Sequence, residues 1–117
     1  KTEVMSDEVL VDVAGLLEDE YARTILIQTS SRPMSANELA EHCDASPPTI
    51  YRRIDRLREH DLVTSDQELD PDGHHYEVFE ANLQRVTIEL DEDGFEVELE
   101  HQTDPADRFT DLFEELR

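Results

Sequence analysis

Residues 34–63 read MSANELAEHCDASPPTIYRRIDRLREHDLV and contain two short helical patterns on either side of a tight turn. Ser35 followed three residues later by Glu38 forms the S-x-x-E capping box that opens a helix. Asp44 stands where the turn needs a residue that tolerates the left-handed conformation. Ser46 caps the next helix, and Pro47 occupies its first position, where a missing N–H costs nothing. The segment is therefore predicted to be a helix-turn-helix.

The second helix of this unit reverses the local charge of an acidic chain. Between Pro47 and His60 there are four arginines and two acidic residues, which gives +2. Since the whole chain has a formal charge of −21, the remainder sums to −23. A basic helix in so acidic a protein indicates that this helix meets a polyanion.

The apolar residues of the second helix predict which of its side chains face outward. Ile50, Ile54 and Leu57 follow an i, i+4, i+7 pattern and form the core stripe. Arginine pairs with guanine O6 and N7, and threonine reaches phosphates or base edges. The helix start, with Ser46 and free N–H groups, suits a phosphate. The outward residues on this pattern are Thr49, Arg52, Arg53 and Arg56.

A β-hairpin is predicted directly after the arginine helix. Its strands are 63–68 and 74–79, and the turn between them is Asp70-Pro71-Asp72-Gly73. Two helices, a turn, a basic helix and a hairpin follow one another in the order of a winged helix-turn-helix. His74 and His75 come just after the hairpin tip, where a wing contacts the adjacent minor groove or the DNA backbone.

Two helices are predicted before this unit. Ser6 can cap the first, whose apolar face is Val9, Leu10, Val13, Leu16 and Leu17. The second begins near Glu18–Asp19, because acidic residues favour a first helical turn. The pattern leaves open whether Gly15 separates the two helices or lies within a single one.

A second hairpin and a terminal helix are predicted after residue 81. Alternating apolar residues run through 86–90 and 95–99 on either side of Asp91-Glu92-Asp93-Gly94. A helix then starts at Asp104-Pro105, and one of its sides carries Phe109, Leu112, Phe113 and Leu116. The predicted fold is thus α+β: a winged helix-turn-helix DNA-binding domain at 1–81, and a hairpin plus helix at 82–117 that serves dimerisation. The stripe at Val9, Leu10 and Val13 is the alternative interface of the expected homodimer.

The acidic composition has two readings, disorder or adaptation to molar intracellular salt. Regular helical and strand periods along most of the chain argue against disorder. Lys1 is the only lysine, and carboxylates occur in every segment, which is typical of haloarchaeal proteins. At about 1 M salt the Debye length is only about 3 Å, so their mutual repulsion is largely screened.

The single cysteine, Cys43, fits a reducing cytoplasm. No apolar run is long enough for a bilayer, so no membrane partner is expected.

Two segments, LLEDEYARTIL at 16–26 and SANELAEHCDASPPTIYRRIDRLREHDLV at 35–63, resemble the ArsR/MarR-like winged-helix transcription regulators that are abundant in haloarchaea. The resemblance covers about Leu16 to Ala81 and is most specific around T-I-Y-R-R-I-x-x-L. Pro47–Pro48 and Asp44 depart from the usual pattern. The resemblance implies DNA contacts at Ser46, Thr49, Tyr51, Arg52 and Arg53.

The expected function is regulation of transcription through specific binding to double-stranded DNA in a high-salt cytoplasm. No nucleophile–base arrangement is visible, and three glycines leave no phosphate-binding loop, so neither an enzyme nor a cofactor is expected. No metal site is expected, since Cys43 beside His42 falls on the inward stripe and is read as a core residue. The alternatives are a winged-helix module for protein–protein contact, or a metal- or redox-responsive sensor with the same DNA end.

Overall fold

The computed structural model describes residues 2–5 and 7–103, and in this part of the chain four helices are followed by two hairpins. The predicted cap at Ser6 and the terminal helix with its stripe at Phe109, Leu112, Phe113 and Leu116 lie outside the described residues. The helices are α1 (Asp7–Glu18), α2 (Glu20–Ser31), α3 (Ala36–Cys43) and α4 (Pro47–Glu59). The strands are β1 (Thr2–Met5), β2 (Val63–Leu69), β3 (His75–Ala81), β4 (Leu83–Asp91) and β5 (Gly94–His101).

The break between the first two helices lies at Asp19, and Gly15 is inside α1. Asp19 has extended backbone angles, and its carboxylate accepts a hydrogen bond from the Ala22 N–H at 2.8 Å. This is an N-cap, which satisfies one of the donors that a new helix leaves free. The question that the sequence left open at Gly15 is therefore answered by a cap four residues later.

The turn between α3 and α4 forms as predicted. Ser35 accepts a hydrogen bond from the Glu38 N–H at 3.2 Å and so caps α3. Asp44 has the expected left-handed conformation, with φ of 51°. The Ala45 N–H then donates to the Ala40 carbonyl at 3.0 Å, the six-residue closure of a Schellman motif. The reversal of the chain is thus set by local hydrogen bonds.

A second aspartate ends α4 in the same way. Asp61 has φ of 54°, and the Leu62 N–H donates to the Leu57 carbonyl at 3.0 Å. Leu57 and Leu62 are both fully buried, which supplies the apolar contact that accompanies this motif. Local hydrogen bonds therefore set the end of α4 as well as its start.

The wing is the antiparallel pair β2–β3, with Val63 opposite Ala81 and Leu69 opposite His75. Met34 adds a short bridge to it: the Met34 N–H donates to the Phe79 carbonyl at 3.0 Å, and the Phe79 N–H donates back at 2.8 Å. The bridge attaches the chain just before α3 to the wing. Phe79 is fully buried in the core beneath α4.

The predicted second hairpin belongs to a three-stranded sheet in the order β1-β5-β4. β1 pairs antiparallel with β5, and no strand was predicted there because four residues are too few for an alternating pattern. Val97 and Leu99 of β5 are buried in the core that α1 also enters through Val13 and Leu16. The N-terminal segment and the second hairpin therefore share one sheet.

Asn82 connects the two sheets to the end of α4. Its side-chain amide donates to the carbonyls of Asp61 and Thr103 at 3.1 and 2.7 Å, and its carboxamide oxygen accepts from the Thr103 N–H at 2.8 Å. The Asn82 N–H donates to the Leu62 carbonyl at 2.8 Å. Because Asn82 is buried, each of these bonds satisfies a polar group that water does not reach.

The architecture confirms the predicted fold class, an α+β winged helix-turn-helix followed by a second hairpin. Within residues 2–5 and 7–103, none of the helices has the length and apolar character that a membrane span requires.

Candidate nucleic-acid interface

α4 presents a mixed polar face away from the core. Ile50, Ile54 and Leu57 are fully buried, as predicted. A helix turns 100° per residue, so Arg52 and Asp55 lie opposite this stripe. Both are exposed, and Glu59 and Arg56 are exposed beside them. The outward face therefore carries two cations and two carboxylates.

Arg52 fulfils the prediction that it points away from the protein. It is exposed, and its Nη2 donates to the Thr49 hydroxyl at 3.3 Å, one turn earlier on the same helix. In the part of the chain that the structure describes, Arg52 has no carboxylate within ion-pair distance. Its remaining donors are free to contact an acceptor outside the protein.

The predicted outward position of Arg53 is wrong. Its Nε donates to Asp19 Oδ2 at 3.1 Å and its Nη2 to Asp19 Oδ1 at 3.4 Å, so the two side chains form a bidentate pair. The side chains are only 26% and 21% exposed. The guanidinium also lies over the ring of Tyr21, 5.6 Å from its centroid. Arg53 therefore joins α4 to the start of α2.

This pair changes the acidity of Asp19. Burial by itself raises the pKa of Asp19, but hydrogen bonds from Arg53 and the Ala22 N–H, with the charges of Arg53 and Arg56, outweigh burial. The pKa of Asp19 consequently lies below its ordinary value of 3.8. The ionised form is thus the one that the fold stabilises.

The other two arginines occupy opposite flanks of α4. Arg56 is exposed on the side next to α1, and its Nη2 lies 3.5 Å from the position that a Cβ on Gly15 would take. Arg58 faces the wing, where it lies over the ring of Phe79 and 3.6 Å from Glu77. Of the four arginines, only Arg52 and Arg56 have no carboxylate within ion-pair distance among the described residues.

The start of α4 does not offer the free N–H groups that the sequence predicted. Pro47 and Pro48 occupy its first positions and have no N–H. The Thr49 N–H donates to the Ser46 hydroxyl at 3.4 Å, and the Ile50 N–H donates to the Ser46 carbonyl at 3.2 Å. The hydroxyls of Ser46 and Thr49 lie 3.0 Å apart and share a hydrogen bond, so one of the two keeps a proton that a phosphate can accept.

Tyr51 lies on the wing side of α4 and is partly covered. Its ring makes an edge-to-face contact with Phe79, with centroids 6.3 Å apart, and 43% of the residue stays exposed. Stacking against the core fixes the ring direction.

The wing places both predicted histidines at its tip. His74 and His75 are exposed, and His74 Nδ1 lies 3.6 Å from Asp70, whose carboxylate also accepts from the Asp72 and His74 N–H groups. The wing hairpin at 63–81 contains six acidic residues and no lysine or arginine. This excess of carboxylates opposes close approach of the wing to phosphates.

Cys43 is partly buried against the core, less than a core residue but consistent with its inward position. Burial raises the pKa of its thiol, and the charges of Asp19 and Glu20 raise it further. The thiolate is therefore disfavoured, which reduces the reactivity that a thiol sensor needs.

Comparison with known proteins agrees with this geometry. Residues 17–66 match a family model described as a helix-turn-helix domain, a range that runs from the end of α1 into β2. No curated protein and no solved structure matches the chain significantly. The match supports a helix-turn-helix domain in this part of the chain. In DNA-binding proteins this type of domain places its second helix in the major groove.

Sequence reasoning missed Asp19 as a residue that positions α4. Its signal was present in part, since an aspartate before an apolar helical period is a common N-cap. The partner of its carboxylate was not predictable, because Arg53 is 34 residues away.

The Asp19–Arg53 pair predicts that neighbouring arginines differ in their effect on stability. Arg53→Ala leaves a shielded carboxylate unpaired and should lower the free energy of unfolding by about 1–2 kcal/mol. Arg52→Ala, the matched control, should change it by no more than about 0.5 kcal/mol. Denaturant unfolding followed by circular dichroism measures both values.

The same comparison predicts a pH dependence. A carboxylate with a lowered pKa in the folded state contributes stability above its unfolded pKa, and this contribution is lost as the pH falls through the folded value. The difference in the free energy of unfolding between wild type and Arg53→Ala should have its full size near neutral pH and become smaller below about pH 3.8. A difference that is independent of pH would contradict the assigned pair.

Proposed function

We propose that this protein is a sequence-specific DNA-binding transcription regulator that works in a high-salt cytoplasm and inserts α4 into the major groove of duplex DNA. One observation carries the proposal: Arg52 and Arg56 are exposed on the outward face of the helix that the helix-turn-helix match includes, with no carboxylate within ion-pair distance among the described residues. An exposed guanidinium on an acidic protein is suited to a ligand that supplies the missing anion or acceptor.

Arg52 is proposed to read the sequence directly. It lies near the centre of the outward face, and its guanidinium geometry matches the O6 and N7 acceptors of guanine. Asp55, one turn further along, is exposed on the same face. A carboxylate in the major groove accepts a hydrogen bond from the cytosine amino group. The two residues together would favour a site with guanine and cytosine at neighbouring positions.

Arg56 and the helix start are proposed to hold the phosphate backbone. Arg56 lies at the edge of the outward face, next to α1. The hydroxyls of Ser46 and Thr49 mark the other end of that face, and a hydroxyl donates readily to a phosphate oxygen. These contacts would set the register of α4 on the duplex without selecting bases. Tyr51 would add a contact at the wing side.

Arg53 acts differently in this proposal from its expected role in base recognition. Its guanidinium is held by Asp19, so it sets the position of α4 relative to α2 instead of contacting a base. Contact between the wing and DNA would be limited to His74 and His75, because the carboxylates of the wing repel phosphates unless cations lie between them.

A homodimer is proposed because the described part of the chain leaves apolar side chains uncovered at the end of the second hairpin. Ile88, Leu90 and Phe95 are about half exposed or more, and they share the face of the sheet that carries the buried Val97. The apolar stripe at Phe109, Leu112, Phe113 and Leu116 follows within the same chain. Two-fold dimers of helix-turn-helix proteins read paired half-sites about one helical turn apart.

The first prediction from this proposed function concerns selectivity for bases. Arg52→Ala should cost about 1–3 kcal/mol on the preferred duplex, selected from a random pool, and clearly less on random duplex. Arg56→Ala should weaken both duplexes to a similar extent, because a phosphate contact carries no sequence information. Fluorescence anisotropy at fixed salt measures these affinities.

The control is Arg85→Ala, which removes an exposed arginine of β4, on the second sheet. It should leave both affinities unchanged. If Arg52→Ala and Arg85→Ala have the same effect on the preferred duplex, α4 is not the reading helix.

The second prediction concerns salt. Ordinary DNA-binding proteins lose affinity steeply as salt rises, since released counterions drive their binding. Here the surface outside α4 is strongly acidic, so low salt adds repulsion and few phosphate contacts exist to release cations. Affinity should change by less than about tenfold between about 0.2 and 2 M KCl, or increase. Circular dichroism at each salt concentration excludes unfolding, and a steep linear loss with the fold intact would reject the high-salt proposal.

The third prediction concerns assembly. Phe113→Asp should convert dimers to monomers in light scattering at high salt and weaken DNA binding, because each half-site then binds independently. Asp111→Asn, a polar change in the same predicted helix, is the control and should remain dimeric. A dimer that persists in Phe113→Asp would move the interface to the N-terminal stripe at Val9, Leu10 and Val13.

A further inference from the structure

Three potential metal ligands meet where α1 passes the end of α4. They are Asp12 of α1, Glu59 at the last position of α4, and His60, which caps that helix. The ligand atoms of the three side chains lie within 4.8 Å of one another. The set shares only Glu59 with the outward face of α4, and its other two members come from α1 and from the residue that caps the end of α4.

The imidazole of His60 is the unusual member of this cluster. Its side chain is only 11% exposed, and its Nε2 atom is buried with no hydrogen-bond partner among the described residues. Buried polar nitrogens without a partner are rare, because losing water without a replacement costs free energy. Asp12 Oδ2 lies 3.6 Å from the Nε2 atom, which is within ion-pair distance but too far for a hydrogen bond.

The distance between these groups fits two ligands of one cation better than a direct hydrogen bond. His60 Nε2 and Asp12 Oδ2 are 3.6 Å apart. A hydrogen bond between them would need about 2.7–3.2 Å. Two ligand atoms that each lie about 2.1 Å from a tetrahedral zinc ion are separated by about 3.4 Å. Glu59 is exposed, so its side chain is free to complete a third ligand position.

The position of His60 is set by the backbone around it. Asp61 in the left-handed conformation closes the end of α4, and the carbonyl of His60 is 2.9 Å from His101 Nε2 of β5. These contacts hold the imidazole on the α1 side of the helix end before any ligand arrives. A pre-positioned ligand reduces the entropy lost on binding.

We propose that Asp12, Glu59 and His60 bind one divalent transition-metal ion, of which zinc is the best match to one imidazole and two carboxylates. One nitrogen and two oxygens leave a fourth position for water, as in other open zinc sites. The ion replaces the missing hydrogen-bond partner of His60 and neutralises two carboxylates of an acidic surface. It also joins α1 to the end of the basic helix through coordinate bonds.

The turn of the wing has the same types of ligand but lacks these features. Asp70, Asp72 and His74 also lie within 4.8 Å of one another. His74 is 80% exposed, however, and the Asp70 carboxylate already accepts two backbone hydrogen bonds that shape the turn. No atom of this second cluster is both buried and unpaired, so it serves as an internal control for the chemistry of the ligands.

Isothermal titration calorimetry of the full chain with Zn²⁺ tests the proposal directly, in a salt where circular dichroism reports the intact fold. Wild type should bind one ion per chain. His60→Gln should weaken binding at least about 100-fold and Asp12→Asn about tenfold, since each removes a ligand. His74→Gln should leave the affinity unchanged. At the same Zn²⁺ concentration, the melting temperature should rise more for wild type than for Asp12→Asn.

The variants keep the outcomes distinguishable. Asp12 is 57% exposed, so Asp12→Asn tests the site even if His60→Gln does not fold. Absence of saturable binding to wild type, or equal binding by wild type and Asp12→Asn, overturns the proposal. Loss of binding in His74→Gln instead assigns the ion to the wing and overturns it as well. None of these measurements involves DNA, so they test the metal site independently of the proposed regulatory function.

Discussion

The position of the basic helix depends on the hydrogen bonds that the carboxylate of Asp19 accepts. It caps α2 through the Ala22 N–H and at the same time accepts two hydrogen bonds from Arg53 of α4. One residue therefore determines both where α2 begins and how α4 is rotated against it. Apolar packing alone tolerates small rotations of a helix, because dispersion contacts have little directionality. A bidentate pair partly shielded from water does have direction, and it restricts how far α4 can rotate against α2.

The local features of this fold could be predicted from sequence because their causes are local. Ser35, Asp44 and Ser46 act through hydrogen bonds within five residues, and each has the conformation that its side chain favours. Both hairpins were predicted from alternation and turn residues for the same reason. β1 was missed because four residues carry no usable period, and it becomes ordered by pairing with β5, more than ninety residues away. The sequence of so short a segment contains no pattern from which long-range pairing of this kind can be predicted.

The candidate site shows where helical periodicity stops being informative. The pattern correctly identified the buried stripe of α4, yet it assigned Arg52, Arg53 and Arg56 alike to the outside. Positions at the edge of a stripe are either exposed or covered, depending on which element packs beside them. Arg53 is partly covered by α2, and Arg58 lies against the wing although it remains exposed. The charge of +2 counted from sequence is thus a poor measure of the charge that a ligand meets, since two of the four arginines already have carboxylate partners.

Both α4 and its surroundings are arranged so that the rest of the fold can influence the proposed interface. Arg53 connects the middle of α4 to α2. The residues at the C-terminal end of α4 contact Asn82, His101 and α1. Asn82 in turn fastens Thr103, the last described residue before the predicted terminal helix. The second sheet is therefore connected to the end of α4 through part-buried, directional hydrogen bonds. Because Arg52 lies fewer than three turns from that end, a small tilt of the helix moves its guanidinium relative to a bound base. In the proposed complex, the contacts that stabilise α4 are thus also the contacts through which the rest of the fold acts on its approach to DNA.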